Sequence, residues 1–502
     1  MTRLAPRALG SRGLALIATS VALVALTAAL GESAATHGLG PGGALPPYAA
    51  DVHPSPWLVV ALLVAAVATG LAGSLLAWAA LDRGWAPDPR RLLAGGLVAT
   101  FALLLVPPTS SDDLYSYTAY GRMAVLGRDP YTITPNDLPD DPVARAAGEP
   151  WRDMPTVYGP VATAEQAVAL RVAGPHVRTG AALLALASAL AFAGTGLLLY
   201  AAAPATDTAA RRRAVLLWTL NPLLLLHLVA GAHVDALLVL FAVSALLALR
   251  RSALLSGALA GAAASVKLSG LLVAAALAWA CRLSRRRLAL LALGAVLVTP
   301  PAYVAVGGFT ALTQVRRASR FVSFGSPWRA FSVPLDHYVG YGPSRGIVST
   351  LSLLVVLWAG WLLARSLPGE GPARAAAVTA LAWLVGATYV LPWYDAWAYP
   401  FLALLPSSRW DRWLAVRTAV LTLAYLPGRI VPMPSALAGL LSGTRHYATP
   451  VALGVLLVVA VRWCRNDSAP PRSAPGLRSG RFPGAVAEPD PGPASPRPAS
   501  AT

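Results

Sequence analysis

The chain has 502 residues, of which 56% are hydrophobic and only 12% are charged, and its mean hydropathy is +0.59. A soluble globular domain carries about 25% charged residues, so this composition excludes an ordinary soluble enzyme and indicates a polytopic membrane protein. Forty Lys and Arg against 22 Asp and Glu give a net charge of +18. Such an excess is typical of basic cytoplasmic loops, so nucleic acid is not expected as a partner.

Long apolar segments dominate the sequence, and most reach the roughly 20 residues that a transmembrane helix needs. The first follows a basic N-terminus, a pattern shared by signal peptides and first spanning helices. No clear cleavage site follows it, which favours a helix. The segments occupy residues 13–30, 57–81, 92–106, 180–202, 214–230, 233–249, 253–281, 287–306, 347–366, 373–391, 396–406, 414–431 and 447–464.

Arginines between these segments place alternate loops inside the cell. Segment 253–281 has arginines near both ends, and Lys267 interrupts its middle. This pattern predicts a re-entrant pair of half-helices that turn near Lys267, or two short spans with the same sidedness. The sequence therefore predicts an all-α bundle of about 12 transmembrane helices plus a re-entrant hairpin over residues 1–464. A Pro-, Ser- and Arg-rich tail, 465–502, is predicted to be disordered and cytoplasmic.

Two long segments are predicted to lie outside the cell. Loop 107–178 follows the third helix and is far longer than a helix connection requires. The second outer loop covers 307–346, and the short run 391–399 also lies outside. The first loop opens with Ser110–Tyr131, which is polar and aromatic at the membrane edge. We expect loop 107–178, with its surface helices, to carry the chemistry.

Asp112 and Asp113 lie immediately after the third apolar segment. A carboxylate at a membrane edge is partly desolvated, which raises its pKa and makes it a better base. Two adjacent carboxylates also repel each other and titrate as a coupled pair. The alternative is a helix cap, because Ser and Asp cap helices well. Both residues are therefore candidate catalytic groups.

Sugars bind proteins through stacked aromatic rings and charged hydrogen-bond partners, and the same loop is rich in both. Ordinary turn chemistry is the alternative for its Pro- and Gly-containing stretches. The candidate substrate-binding residues of this loop are Tyr115, Tyr117, Arg122, Asp129, Tyr131 and Tyr158.

Two further clusters lie at predicted helix ends on the outer side. Ionisable residues at membrane depth are expensive and usually functional. A local His–Asp interaction is the alternative for the first cluster, and an interfacial aromatic belt for the second. His227, His233 and Asp235 lack a spacing specific for metal, so neither a metal site nor a cofactor is predicted. The substrate-binding candidates here are His233, Asp235, Trp393, Tyr394 and Asp395.

Four cations are candidates for binding a phosphate. Lys267 is the only lysine, against 39 arginines (40 basic residues minus one), which suggests a need for a compact ammonium group. Arg316, Arg317 and Arg320 lie in the second outer loop, against the positive-inside trend, and guanidinium suits phosphate. The alternatives are a snorkelling lysine and a solvated run of charge.

Five motifs in order resemble the actinobacterial polyprenol-phosphomannose-dependent α-1,6-mannosyltransferases of the GT-C class. They are SDDLYSYTAYGRMAVLGRDPY, VYGP, NPLLLLHLVAGAHVDAL, ASVKLSG and LPWYDAWAYP. The resemblance covers about residues 57–464. Family members often have His-Asn-Asp where this chain has His233–Val234–Asp235, which leaves the role of the middle position open.

The resemblance implies a GT-C bundle whose first large outer loop carries the catalytic Asp, at the position of Asp113 with Asp112 beside it. It implies inverting transfer of mannose from a polyprenyl-phosphate donor to a mannan-type glycolipid at the outer face of the plasma membrane. The alternatives are a transporter or flippase for lipid-linked sugars, a GT-C enzyme that uses another polyprenyl-phosphate sugar, or a glycolipid-binding scaffold. A transporter would share the broken helix and the membrane charges.

Overall fold

The computed structural model describes residues 5–40, 45–306 and 308–467, and every regular element in these ranges is a helix. The α-helices are α1 Pro6–Ala29, α2 Pro56–Asp82, α3 Pro89–Ala102, α4 Asp113–Val125, α5 Pro142–Arg145, α6 Pro160–Ala173, α7 Val177–Ala202, α8 Thr208–Leu217, α9 Pro222–Leu224, α10 Asp235–Ala248, α11 Ala253–Val266, α12 Leu271–Cys281, α13 Arg285–Ala305, α14 Phe309–Ala318, α15 Arg329–Val339, α16 Tyr341–Ser366, α17 Gly371–Gly386, α18 Tyr399–Ala403, α19 Arg409–Tyr425, α20 Ser435–Gly443 and α21 Thr449–Asp467.

The predicted all-α polytopic fold is confirmed. In the described part of the chain, seven helical stretches are long and apolar enough to cross a membrane: Pro6–Ala29, Pro56–Asp82, Val177–Ala202, Thr208–Ala230, Arg285–Ala305, Tyr341–Ser366 and Ser435–Asn466. Shorter apolar helices cover 235–248, 253–266 and 268–281. The count of about 12 spans therefore stays a prediction, and most of the tail 465–502 lies outside the described residues.

Proline and capping residues determine where several helices begin. α2 begins at Pro56, and the Ser55 hydroxyl accepts the Leu58 N–H at 3.3 Å. α3 begins at Pro89, and the Asp88 carboxylate accepts the Arg90 N–H at 2.9 Å. Proline costs nothing at the first helical position because that N–H has no partner within the helix, and Ser and Asp satisfy the donors that follow.

Two predicted spans are interrupted inside the bundle. The first breaks after α8, where the Asn221 side chain caps α9, and it continues as a π-helix over Leu225–Ala230. The second breaks where predicted: α11 ends at Val266, Lys267 is extended (φ −155°, ψ 136°), and one 3-10 turn leads into α12. π-helical turns and broken helices occur frequently at functional sites. Whether the second break forms a re-entrant hairpin remains a prediction.

The predicted span 396–406 folds differently. A 3-10 turn covers Pro392–Trp397, and α18 has only five residues. Five residues rise about 8 Å, far less than a bilayer. This segment is buried among other helices, so its apolar character reflects the protein core rather than lipid.

The loops gather at two ends of the bundle. Loops predicted to be cytoplasmic surround a cavity of 1060 Å³ at one end, with Asp82, Arg250, Arg287 and Glu370 among its lining residues. At the other end, the linker after α3 meets the loop after α1, where the Thr36 and Thr109 hydroxyls are 2.8 Å apart. Loop 107–178 begins at this second end and includes α4, α5 and α6.

Candidate functional site

A cavity of 430 Å³ lies at the end of the bundle that carries the linker after α3. Binding sites for small molecules usually have volumes of about 300–1,000 Å³. Parts of the chain far apart in sequence line it, including Asp112, Asp113, Trp151, Arg345, Tyr389, Trp393, Tyr425, Arg429 and Arg445.

The backbone before the two aspartates is held in a strained conformation. Ser110 has φ 68°, in the left-handed region that non-glycine residues rarely adopt. Its N–H donates to the Ala35 carbonyl at 2.8 Å, and the Thr109 N–H donates to the Ala230 carbonyl at 2.8 Å. Gly428 (φ 106°) packs against Ser110 so closely that a Cβ there would lie 2.1 Å from the Ser110 carbonyl oxygen. Strain held by surrounding contacts is common at active sites.

Asp112 forms an ion pair with an arginine. Arg429 Nε donates to Asp112 Oδ1 at 2.9 Å, and Arg429 Nη1 donates to the carbonyls of Ser33 and Thr36 at 2.7 and 3.0 Å. The two charged side chains are only 11–13% exposed. The pair therefore joins the loop after α1 to the linker after α3, and Asp112 has its charge balanced.

Asp113, the first residue of α4, lies outside the membrane-spanning helices and has no such partner. Its side chain is 6% exposed, and His233 Nε2 lies 3.7 Å from Asp113 Oδ2. Burial raises the pKa of Asp113 to about 7, against the opposing charge of Lys267 and a hydrogen bond from Trp151. A carboxyl with this pKa can take and release a proton near neutral pH, as a general base must.

His233 faces Asp113 in a defined tautomer. Its Nδ1 lies 2.7 Å from the His227 carbonyl, which can only accept, so Nδ1 carries the hydrogen. In the neutral ring Nε2 is then a bare acceptor; it is buried and has no hydrogen-bond partner among the described residues. The ring stacks on Trp393 with centroids 3.7 Å apart. At 3.7 Å the two acceptor atoms are adjacent but not hydrogen-bonded, so a proton taken up by Asp113 would have His233 Nε2 as a neighbouring acceptor.

A second charged cluster lies beside this pair. Lys267 Nζ donates to both oxygens of Asp235 at 3.1 Å, and the Trp397 indole donates to Asp235 Oδ1 at 2.8 Å. The ammonium group also lies 4.1 Å from the centre of the Tyr394 ring. Asp235 is completely buried, and the charge of its carboxylate is balanced by the Lys267 ammonium group.

The VYGP motif packs directly on the break between α11 and α12. The Gly159 N–H donates to the Val266 carbonyl at 2.9 Å, and a Cβ at Gly159 would lie 2.2 Å from the Ser265 carbonyl oxygen. The Tyr158 and Tyr117 rings make an edge-to-face contact, and their hydroxyls are 3.3 Å apart. The motif therefore positions both rings next to the Lys267 cluster.

Several predicted substrate-binding residues instead stabilise the surrounding structure and do not line the cavity. Asp129 is exposed and caps a turn, whereas the others are engaged by protein partners. The pairs are Arg122 with Asp141 (2.7 Å), Tyr131 with Thr163 (2.8 Å), Asp395 with Arg417 and with Thr418 (2.8 Å), and Tyr115 with His37 in a tilted ring contact (centroids 4.2 Å apart).

The arginines predicted to bind phosphate do not reach the cavity. Arg316 and Arg317 lie in the last turn of α14, Arg320 follows it, and all three are exposed. Three arginines that were not assigned from the sequence, Arg345, Arg429 and Arg445, line the cavity instead. Each also lies at the predicted outer end of the bundle, so the departure from the positive-inside trend was a usable signal. The phosphate-binding role of Arg316, Arg317 and Arg320 stays a prediction.

The residues considered as metal ligands have separate partners in the protein. His227 Nε2 lies 2.8 Å from the Thr422 hydroxyl, and Asp235 is engaged by Lys267. Among residues 5–40, 45–306 and 308–467, no three His, Cys, Asp or Glu side chains are grouped as metal ligands.

Comparison with known proteins assigns the family. The family model described as "Alpha-(1->6)-mannopyranosyltransferase, N-terminal domain" matches residues 12–283, more than half of the chain. The chain belongs to the alpha-(1->6)-mannopyranosyltransferase family. The matched region contains Asp113, His233, Asp235 and Lys267, whereas Arg345 and Trp393 lie beyond it.

Individual relatives agree with this assignment. A probable alpha-(1->6)-mannopyranosyltransferase of Mycolicibacterium smegmatis is 31% identical over 317 residues, covering 59% of this chain and 51% of that protein. Alpha-(1->6)-mannopyranosyltransferase A of Mycobacterium tuberculosis is 32% identical over 187 residues, covering 34% of this chain and 33% of that protein. The alignments thus span about half, or less, of the length of these curated relatives.

Among solved structures, the archaeal oligosaccharyltransferase AglB from Archaeoglobus fulgidus, in complex with an inhibitory peptide and a dolichol-phosphate, matches with a TM-score of 0.36 and 15% identity. The match covers 76% of this chain and 56% of that one. This likeness is too remote to inform function.

Proposed function

We propose that this protein is an inverting mannosyltransferase that moves mannose from a polyprenyl-phosphate donor to a mannan-type glycolipid acceptor. The observation that carries the proposal is the buried Asp113 carboxyl, which lines the cavity, lacks a cationic partner of its own and faces the bare Nε2 of His233. Membership of the mannopyranosyltransferase family supports the sugar and the linkage.

In the proposed reaction, the acceptor hydroxyl oxygen attacks the anomeric carbon of the donor mannose and its proton passes to Asp113. The new C–O bond forms as the bond between the anomeric carbon and the phosphate oxygen breaks, and lipid phosphate leaves with the electron pair. General-base catalysis of this kind contributes about 10²–10⁴-fold to the rate. The His233 ring beside Asp113 gives the captured proton a second acceptor. Lipid phosphate is a competent leaving group once its charge is compensated, so no second acid is required.

Asp113, rather than Asp112, is assigned as the base. Arg429 holds Asp112 in an ion pair and two backbone carbonyls hold Arg429, so taking a proton on Asp112 would break a matched pair. Asp113 has no competing cation in hydrogen-bond range among the described side chains. Its environment already favours proton uptake near neutral pH.

The choice of a lipid-linked donor follows from where the cavity lies. It is at the opposite end of the bundle from the arginine-rich loops that surround the 1060 Å³ cavity. If those loops face the cytoplasm, as the arginine pattern predicts, the site opens at the outer face of the plasma membrane, where nucleotide sugars are absent. A polyprenyl-phosphate sugar lies in the bilayer and presents its sugar at that surface.

The donor assignment is tested with purified protein reconstituted in lipid nanodiscs. We expect transfer of labelled mannose from polyprenyl-phosphate mannose to a short α-1,6-mannoside acceptor and none from GDP-mannose. Preparations free of polyprenyl-phosphate-mannose synthase, and the Asp113→Asn variant, serve as controls. Transfer from GDP-mannose under these conditions would overturn the donor assignment, and transport of lipid-linked mannose without bond formation would favour the transporter alternative.

A further inference from the structure

Arg345 is a buried arginine with open hydrogen-bonding capacity. It lies in the first turns of α16, lines the 430 Å³ cavity and is 9% exposed. Its Nη2 donates to Asp336 Oδ2, and its guanidinium carbon lies 4.6 Å from the centre of the Tyr341 ring. Nε and Nη1 are buried and have no hydrogen-bond partner among the described residues. Leaving buried donors unpaired is costly, so a ligand that supplies acceptors at this point would be bound strongly.

The chemistry of these donors selects an anion with several oxygens. Nε and Nη1 lie on different edges of the planar guanidinium group, so each can donate to a separate acceptor oxygen, and phosphate oxygens are strong acceptors for such charged donors. Arg445 also lines the cavity and adds positive charge, whereas Arg429 is already engaged by Asp112. A phosphate placed beside Arg345 would therefore share the cavity with the Asp113 carboxyl.

An apolar groove adjoins this cavity. The groove has a volume of 650 Å³, and its lining is aliphatic and aromatic, with Phe331, Leu354, Trp358 and Ala387 as members. The charged residue in the lining, Arg417, is already paired with Asp395. Leu354 and Trp358 are 56% and 43% exposed. The groove is therefore open at the side and offers a surface for a hydrocarbon chain.

The groove and the cavity adjoin each other. Val390 lines both of them, and one helix, α16, carries Arg345 at the cavity and Leu354 in the groove. Nine residues separate these two positions, which is about 14 Å along a helix. A ligand with a phosphate at Arg345 can thus extend a chain along α16 into the groove.

We propose that Arg345 and this groove together form the binding site for a prenyl phosphate, with the phosphate on Arg345 and the isoprenoid chain in the groove. The inference rests on the proposed function, because it places the phosphate of the donor and of the released product. A single extended chain fits one groove, and the charged head lies beside the base. This site replaces Arg316, Arg317 and Arg320 as the phosphate anchor.

The test measures binding rather than turnover, so it is independent of transfer. Full-length protein in nanodiscs is titrated with a radiolabelled polyprenyl phosphate, and competition with unlabelled polyprenol, phosphatidic acid and inorganic phosphate separates the contributions of chain and head. We expect Arg345→Gln to weaken binding of the polyprenyl phosphate by about tenfold or more, the typical effect of losing a charge-assisted hydrogen bond. Binding of polyprenol should be unchanged. The exposed Arg316→Gln/Arg317→Gln variant is the matched control and should bind normally.

Asp336→Asn separates an anion-binding role of Arg345 from a structural one. If Arg345 binds the phosphate, removal of Asp336 frees a third nitrogen and its charge, and affinity should be kept or increased. If Arg345 only holds the fold through Asp336, Asp336→Asn should lower binding as Arg345→Gln does, and that result would overturn the inference.

The groove is tested by filling it. Leu354→Trp should reduce the affinity for polyprenyl phosphate several-fold, whereas Leu353→Trp, at a neighbouring residue that is 55% exposed but outside the groove lining, should not. Equal effects of the two changes, or competition by phosphatidic acid as strong as by the prenyl phosphate, would assign the groove to ordinary lipid. If Arg345→Gln keeps normal affinity for polyprenyl phosphate and transfers mannose at normal rates, this inference is overturned and the proposed function stays intact.

Discussion

Two neighbouring carboxylates, Asp113 in the lining of the cavity and Asp235 in the cluster beside it, differ in how completely their hydrogen-bonding capacity is satisfied. Asp235 has a lysine, an indole N–H and an aromatic surround, with Lys267 bonded to both of its oxygens. Asp113 has a histidine acceptor at 3.7 Å and an open cavity. Both carboxylates are buried and both begin a helix, so burial and local structure do not distinguish them.

The difference indicates that the two clusters have different roles. A buried charge with every partner in place contributes to a defined structure, but it has no capacity left for a substrate. A buried carboxyl without a cation has a raised pKa and can exchange protons. We therefore assign stability and positioning to the Asp235 cluster and chemistry to Asp113. Substitutions in the two clusters should then affect different measurements.

The largest expected effect is on turnover at Asp113. Asp113→Asn keeps the size of the side chain and removes the base, so kcat for mannosyl transfer should fall between about 10²- and 10⁴-fold. The melting temperature of the purified protein should stay close to that of the wild type, because the carboxyl has no ion pair to lose.

Asp112→Asn is the comparison for this prediction. It leaves Arg429 without its anion and should lower activity less than Asp113→Asn, with a clear loss of stability. A reversed order of the two activities would make Asp112 the base. If both variants keep full activity, the two aspartates only cap the helix and neither is the base.

The second expected effect is on stability at Lys267. Lys267→Met keeps the length of the side chain but leaves Asp235 buried without its cation, a change that typically costs about 3–5 kcal/mol. Thermal unfolding in detergent, monitored by size-exclusion chromatography or tryptophan fluorescence, measures the loss of stability. The double variant Lys267→Met/Asp235→Leu should recover part of it. A stable Lys267→Met protein with weakened affinity for polyprenyl phosphate would instead restore Lys267 to the phosphate-binding role predicted from the sequence.

Local sequence was informative where the signal lay within one segment. The apolar runs predicted the helices, the lone Lys267 marked the break between α11 and α12, and Asp112–Asp113 stood out as adjacent acids after a span. Each of these signals depends on composition or spacing over a few residues, which hydrophobic patterning can detect. The short segment around α18 was misjudged for the same reason, since a buried core helix and a lipid-facing helix are equally apolar.

The roles of individual side chains were harder to predict because they depend on contacts between distant residues. Arg429 and Asp112 are 317 residues apart, and Lys267 and Asp235 are 32 apart. Nothing in the sequence near Asp395 shows that Arg417 occupies it, or that Arg345 rather than Arg316 lines the cavity. Pairing decides whether a charged residue is available to a ligand, and pairing is a property of the tertiary structure.

The smallest expected effect concerns the pH dependence of the Asp113–His233 pair. Because the base must be ionised and burial raises the pKa of Asp113 to about 7, activity should rise with pH through neutrality and be lost as the pH falls below about 7. The bare Nε2 of His233 favours the protonated form of Asp113, since it can accept that proton. His233→Phe keeps an aromatic ring to stack on Trp393 and removes this acceptor, so the acid limb of the kcat/KM profile should move to lower pH. His233→Gln, which restores a polar group, should move it less. A shift to higher pH would mean that His233 is protonated and acts as a cation beside an ionised Asp113.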